Sequence, residues 1–339
     1  YAEKLLATFP KKLNKVFFTT SGSEATDLAV RIAHTYSQLW KTMVMQHGYH
    51  GHTAMGISIS DYKFSGKGGT GQQANTLTAP MPDTLRGKFA FNDAEAGKYY
   101  AQQAIDIINK NQGEIGAFIC EPIIGCGGQV MLPKNYWQHI YKAIRAQGGV
   151  CISDEVQVGF GRMGSTFWGF EMHNVVPDIV TIGKPMGNGH PMAAVITTTE
   201  IADAFVSGME YFSSFGGNPV SCAIGNAVLD VIEIDNLQQN SLEIGNYFKT
   251  ELQKLQNNYE QIGEVRGQGL FLGVELVTDK QTFEPNTTLA TKIKESLKLN
   301  GILVGTDGPH NSVIKIKPPL CFTQQNVDEF VACFKQQFS

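Results

Sequence analysis

The sequence predicts an α/β protein: a large domain built on a mainly parallel sheet with helices on both faces, and a smaller C-terminal α+β domain. Three observations carry this. Short apolar runs alternate with helical patterns from the start to about residue 215, the pattern of parallel strands joined by crossover helices. Those runs are apolar throughout, without polar alternation, as strands covered on both faces must be. After a long helical region the character changes to a strand, a helix, a strand and a final helix.

Taken in order, the strands of the large domain are KVFFTTSG, TMVMQH, NTLTAP, EIGAFICEP, GVCISDEVQ, DIVTIGK and MAAVITT, and SEATDLAVRIAHTYSQL is the helix that follows the first. Ser21 and Glu24 stand at the S-x-x-E spacing that caps a helix start. The long helical region runs from Val220 to about Asn257 across the less regular EIDNLQQN. The small domain then reads as the strand EVRGQGLFLGVELV, the helix TTLATKIKESLKL, the strand VIKIKPP and the helix NVDEFVACFKQQF. The expected division is residues 1–240, including the linking helix, and 241–339.

At 339 residues and 42% hydrophobic, the chain can bury a substantial core. Lys and Arg number 27 against 31 Asp and Glu, and no basic run tracks a phosphate backbone, so nucleic acid is not an expected partner. The six cysteines, at 120, 126, 151, 222, 321 and 333, show no C-x-x-C pair and no His at metal spacing. They read as small buried side chains in a reducing compartment, with no metal site. No apolar stretch approaches the ~20 residues of a membrane span, and no signal peptide precedes the first strand. The expected location is the cytoplasm. The chain opens at Tyr1 on YAEKLLATF, a pattern met in mid-helix, which suggests a longer parent chain.

Ligands in open parallel sheets bind beyond the carboxyl ends of the strands, and polar residues stand there. TTSGSEA turns from strand to helix, with Gly22 letting a ligand approach and free N–H groups at the helix start suited to a phosphate; a plain capping box explains the same residues. Asp154 follows the apolar run VCIS, where a carboxylate needs a partner; capping a neighbouring helix is the competing explanation. Lys184 ends DIVTIGK, either as a solvated or ion-paired amine or as a nucleophile. Tyr49, in HGYHGH, offers a face for stacking or for core packing. An anion cradle, a carboxylate and an amine at neighbouring strand ends are together what pyridoxal phosphate requires.

With these motifs in order, from FFTTSGSEATDLAVRIA to IKIKPPLCFT, essentially the whole chain resembles the class III aminotransferase family of fold type I pyridoxal phosphate enzymes. The resemblance implies Gly22 and Ser23 at the cofactor phosphate, Tyr49 against the ring and Val156 on its other face. It also implies Asp154 at the ring nitrogen, Gln157 near the phenolic oxygen, Glu121 of CEP ordering the site, and Lys184 as the Schiff-base lysine. YFSSFGGNP places Ser214 where the family usually has a threonine that reaches the neighbouring subunit's cofactor phosphate, so a homodimer with shared sites is implied. Family members also carry an N-terminal stretch before the point where this chain starts.

Within the family, TIGKPMGNGHPMAAVITT, MPDTLRGKF, GMEYF and DGPHNSVIKIKPPLCF are most similar to the branch of phospho-lyases acting on ethanolamine phosphate and phosphohydroxylysine. The expected reaction is elimination of phosphate from a small phosphorylated amine. An ω-amino-acid or alanine–glyoxylate type aminotransferase is the alternative enzyme, and a catalytically idle cofactor-binding domain the alternative of another class. GSEA lacks the spaced glycines of a dinucleotide-binding turn. Candidate receptors for the substrate phosphate are Lys63, Arg86, Lys88 and His310, each also readable as a solvated surface charge. Arg162 of GFGR is expected to be an internal ion-pair partner.

Overall fold

The computed structural model describes residues 1–338. Its main sheet contains β1 (Lys15–Thr19), β2 (Lys41–Met45), β3 (Thr76–Ala79), β4 (Ile115–Cys120), β5 (Val150–Asp154), β6 (Ile179–Ile182) and β7 (Ala193–Thr197). Their order is β1-β7-β6-β5-β4-β2-β3. β3, β2, β4, β5 and β6 run parallel, and β7 runs antiparallel to both β6 and β1.

Every residue of β4, β5, β6 and β7 is buried, because successive side chains enter two different cores. Ala117 and Ile119 of β4 pack with Ala25, Ala29 and Ile32 of the helix Gly22–Ser37. Phe118 and Cys120 pack with Ala104 of Ala96–Lys110 and with Ile140 and Ile144 of Tyr136–Ala146. Apolar runs without polar alternation thus reflect helices on both faces.

The helix Gly22–Ser37 starts where the S-x-x-E spacing puts it, with one change. Ser21 Oγ accepts from Glu24 N at 3.2 Å, but the Glu24 carboxylate accepts from the backbone and hydroxyl of Thr20, at 2.8 and 2.7 Å. The reciprocal half of the box is displaced by one residue. A cap of this kind contributes about 1 kcal/mol and fixes the direction of the N–H groups at Gly22 and Ser23.

The small sheet corrects one expectation. EVRGQGLFLGVELV is two strands, β8 (Ile262–Gln268) and β9 (Phe271–Asp279), paired as an antiparallel hairpin. Gly269 makes the turn at φ +55°, where an added Cβ would lie 2.3 Å from the Arg162 carbonyl oxygen; only glycine fits. β10 (Gly305–Asp307) and β11 (Val313–Ile316) extend this sheet beside β9, and the two-residue strand Glu284–Pro285 pairs with the end of β9 as its fifth member. The helices Leu237–Asn258, Thr287–Leu299 and Gln324–Lys335 supply Phe248, Leu252, Ile293, Leu297, Phe330 and Phe334 to its core. The long helical region is broken into Pro219–Ile234 and Leu237–Asn258, with Asn236 between them at φ +50°.

All six cysteines are free, yet only Cys120 and Cys151 are buried and Cys321 is exposed, so the expectation of uniformly buried thiols fails. No helix among the described residues is long and apolar enough to cross a membrane.

Candidate active site

The sheet brings Asp154 and Lys184 together because β5 and β6 are neighbours, with Asp154 level with Thr181. Asp154 is 4% exposed. Its Oδ1 accepts from Thr181 Oγ1 at 3.1 Å and from Val156 N at 3.2 Å, and its Oδ2 lies 2.8 Å from His50 Nδ1. The carboxylate only accepts, so Nδ1 carries the proton of that bond. The partner that a carboxylate at a strand end requires is therefore His50, which the sequence reading missed.

Glu155, the next residue, points away. It accepts from the Gly169 and Phe170 N–H groups at 2.7 and 2.8 Å and from Ser153 Oγ at 3.0 Å. The helix-capping role weighed for Asp154 thus falls to its neighbour. Burial pushes Glu155 up to about 7, against the pull of those donors.

Gly22, Ser23, Tyr49, Glu121, Asp154, Val156, Gln157 and Lys184 line one cavity of about 230 Å³, joined by Thr26, His50 and Gly51. Gly22 allows the helix start to close on Val156, since a Cβ there would lie 2.8 Å from Val156 Cγ1. Ser23 Oγ accepts from His52 N at 3.0 Å, tying the helix start to the loop that carries Tyr49 and His50. Glu121 Oε2 accepts from Tyr49 N at 3.2 Å and Oε1 from Gln157 Nε2 at 3.3 Å. Burial pushes Glu121 up to about 7, with Asp154 adding to the shift and His50 opposing it.

The cavity fits pyridoxal phosphate on its own chemistry. At one end a capped helix start presents backbone N–H groups, as a phosphate requires. At the other, a buried carboxylate is held as an acceptor, as a protonated ring nitrogen requires. Between them, Thr26 Oγ1 and His50 Nε2 are buried polar atoms without a partner in the protein, and buried polar groups are rarely left so.

Lys184 is exposed in the cleft. Its backbone sits at φ +27° directly before Pro185, an unfavourable place for a lysine, between β6 and the loop that leads to β7.

The remaining candidates scatter. Ser214 is exposed and lies on a separate depression beside Thr20, Glu24 and Arg31, outside this chain's own cavity. Lys63 Nζ is 5.6 Å from the Tyr49 ring centroid, at the border of the site. Arg86 is committed to the fold: Nη2 meets Glu275 at 2.9 Å and Nε donates to the Phe283 carbonyl at 3.0 Å. Burial raises Glu275, but Arg266 and Arg86 outweigh it and hold the carboxylate below its usual range. Lys88 lies over Phe89 and Tyr99, 5.3 and 5.1 Å from their centroids. His310 is exposed, and its carbonyl accepts from the Thr287 hydroxyl. Arg162 is internal but forms no ion pair among the described residues; Nη1 donates to the Leu270 and Pro318 carbonyls, both at 2.9 Å. A second residue escaped the sequence reading: Lys317, whose ammonium donates to Gln157 Oε1 at 2.5 Å.

Comparison with known proteins agrees with this chemistry. The family model described as aminotransferase class-III matches residues 1–338. The chain is 47% identical to the alanine–glyoxylate aminotransferase 2-like protein of Drosophila melanogaster, over 99% of this chain and 69% of that one. It is 42% identical to ethanolamine-phosphate phospho-lyase homolog 1 of Caenorhabditis elegans, over 99% and 75%. A solved phospholyase from Arthrobacter in complex with phosphoethanolamine superposes with a TM-score of 0.91 at 33% identity, over 99% of this chain and 80% of that one.

Proposed function

The chain belongs to the class III aminotransferases, its fold is that of the fold type I pyridoxal phosphate enzymes and its cofactor is pyridoxal phosphate, and from that premise we propose that it eliminates phosphate from a small phosphorylated primary amine. The observation that carries this reading is the likeness, over 99% of the chain, to a phospholyase holding phosphoethanolamine. The specific observation on the other side is the 47% identity to an alanine–glyoxylate aminotransferase 2-like protein, which favours transamination to a keto acid.

When bound, pyridoxal phosphate supplies an aldehyde that condenses with amines and a ring that takes up the electron pair released when a neighbouring carbon loses a proton. The protein's share is placement and proton control. Gly22 and Ser23 offer the N–H groups of the helix start to the cofactor phosphate. Asp154, locked by His50, Thr181 and the Val156 N–H, keeps a proton at the ring nitrogen. Tyr49 and Val156 would flank the ring, and Gln157, in a position that Glu121 orders, would serve its phenolic oxygen. Lys184 would be the covalent anchor, and its amine, once released, would take the proton from the carbon bearing nitrogen. For elimination, the C–O bond on the next carbon breaks and phosphate leaves with its electron pair. Water then completes the balance: one phosphorylated amine and one water give one aldehyde, one ammonia and one phosphate.

Supplying ethanolamine phosphate without any keto acid should give sustained release of phosphate, aldehyde and ammonia in equal amounts. Turnover that begins only when pyruvate or 2-oxoglutarate is added, with an amino acid accumulating, would assign the aminotransferase reaction instead.

The working unit in this reading is a homodimer, with Ser214 serving the neighbouring site. Its segment carries Met209, Phe212 and Phe215, which are 76%, 80% and 70% exposed in the single chain, an apolar patch that calls for a cover. Sedimentation with cofactor present should return the mass of two chains; a one-chain mass would remove Ser214 from a shared site.

A further inference from the structure

We propose that Lys317 is the receptor for the phosphate group of the substrate; the proposal rests on the phosphorylated-amine reading above. Lys317 follows directly on β11, so it comes from the small domain, yet it lines the same cleft of about 790 Å³ as Lys184, Val156 and Gln157. None of the four candidate phosphate receptors picked from the sequence, Lys63, Arg86, Lys88 and His310, lines that cleft. Arg86 is spent on Glu275 and Lys88 on two aromatic rings.

The ammonium is held in place. Arg162 Nη1 grips the Pro318 carbonyl at 2.9 Å, and two successive prolines restrict the backbone after Lys317. Nζ stands 4.1 Å from the Phe271 ring centroid and donates one hydrogen to Gln157 Oε1. An ammonium has three donors, which leaves two for a ligand in the cleft.

Lys317 forms no ion pair among the described residues, although Asp307 and Glu121 lie near enough to favour its charge. Asp307 meets Lys315 Nζ at 2.9 Å and also accepts from Gln129 Nε2 at 2.8 Å, so that carboxylate is already engaged. The thiol of Cys126, pushed up to about 12 chiefly by burial, adds no negative charge. Burial, and after it the nearby Lys315, draws the Lys317 ammonium down to about 8. A group of this kind gains most from a nearby anion. A phosphate monoester carries nearly two charges at neutral pH, a strong partner for the Lys317 ammonium in the cleft. As the C–O bond breaks and phosphate leaves with the electron pair, fixed positive charge at its oxygens stabilises the charge that develops there.

The test uses the holoenzyme and measures binding as well as turnover. Calorimetric titration of Lys317→Met with ethanolamine phosphate should show affinity about 10–100-fold weaker than wild type, the loss of a charge-assisted hydrogen bond. The preference for ethanolamine phosphate over propylamine should fall by the same factor, and Lys317→Arg should recover most of it. Retained visible absorption of the cofactor verifies an intact site. Equal weakening for both amines would mean that Lys317 acts only through Gln157, and unchanged affinity for ethanolamine phosphate would also overturn the receptor. So would a loss confined to β-alanine, which would make this a carboxylate site. The two readings fail separately. Selective, Lys317-dependent binding of ethanolamine phosphate without phosphate release would sink the elimination and keep the receptor, whereas phosphate release with undiminished binding in Lys317→Met would do the reverse.

Discussion

Lys184→Ala is expected to lower turnover by about 10⁴-fold, the upper end of what one positioned proton-transfer group contributes, and to end covalent retention of the cofactor. Both losses come from one atom. In the proposed reading the amine that anchors the cofactor is also the base at the carbon bearing nitrogen, and no other described residue lining the cofactor cavity presents an amine. Lys317 is the natural competitor, since it lines the adjoining cleft and burial, with Lys315, draws its ammonium down to about 8. Its hydrogen bond to Gln157 and its seat over Phe271 hold it away from that task. Borohydride reduction and digestion of wild-type protein should therefore place the cofactor adduct on the Lys184 peptide. An adduct on Lys317, or unchanged visible absorption in Lys184→Ala, would overturn the assignment.

Asp154→Asn should retain cofactor and lose about 10²–10³-fold in turnover, the scale of removing one preorganised electrostatic partner. In the proposed reading the Asp154 carboxylate is the group that keeps a proton at the ring nitrogen, and a neutral amide would leave the ring a poorer acceptor of electrons. The geometry makes the substitution selective. The Thr181 hydroxyl and the Val156 N–H can still donate to an amide oxygen in the Oδ1 position, and the amide NH2 in the Oδ2 position can donate to His50 Nδ1 once that ring carries its proton on Nε2, so the loop should stay in place while the charge is lost. Cofactor content by absorption separates the two effects. Rates near those of wild type would remove Asp154 from the role, and loss of cofactor would make its function structural.

The parts of the site legible in the sequence are those where a charge interrupts an apolar run. Asp154 and Lys184 stand out because a core strand cannot end in a charge without a purpose or a partner. Strand positions were legible for the same reason: β4 is buried at all six residues. What stayed hidden depends on partners far along the chain. HGYHGH holds three histidines with no local sign of which is buried, and His50 meets Asp154 across 104 residues. Arg86 looked available because Glu275 is 189 residues away. Lys317 looked like part of a strand because its partner Gln157 lies 160 residues distant, after a strand of the other sheet. The hairpin at Gly269 was missed because its two turn residues, Gly269 and Leu270, lack the Asn-Gly or Asp-Gly pair that marks a hairpin most strongly, and the apolar Leu270 reads as a continuation of the strand.

The position of β1 also bears on how the protein is made. β1 precedes the cofactor-binding helix, yet its one partner in the main sheet is β7, with Lys15 opposite Thr197 and Thr19 opposite Ala193. Roughly 170 residues must therefore be synthesised before that edge can close, which at ribosomal rates of ~5–20 residues per second is about 10–35 s. During that interval KVFFT is a nascent apolar segment with its backbone unpaired, the kind of stretch that aggregates or engages chaperones. The phosphate cradle follows directly on it, so its position is settled late, by a ring closure of high contact order. A truncation that removes β7 would leave that end of the sheet open for good, although every residue of the cradle itself would still be present.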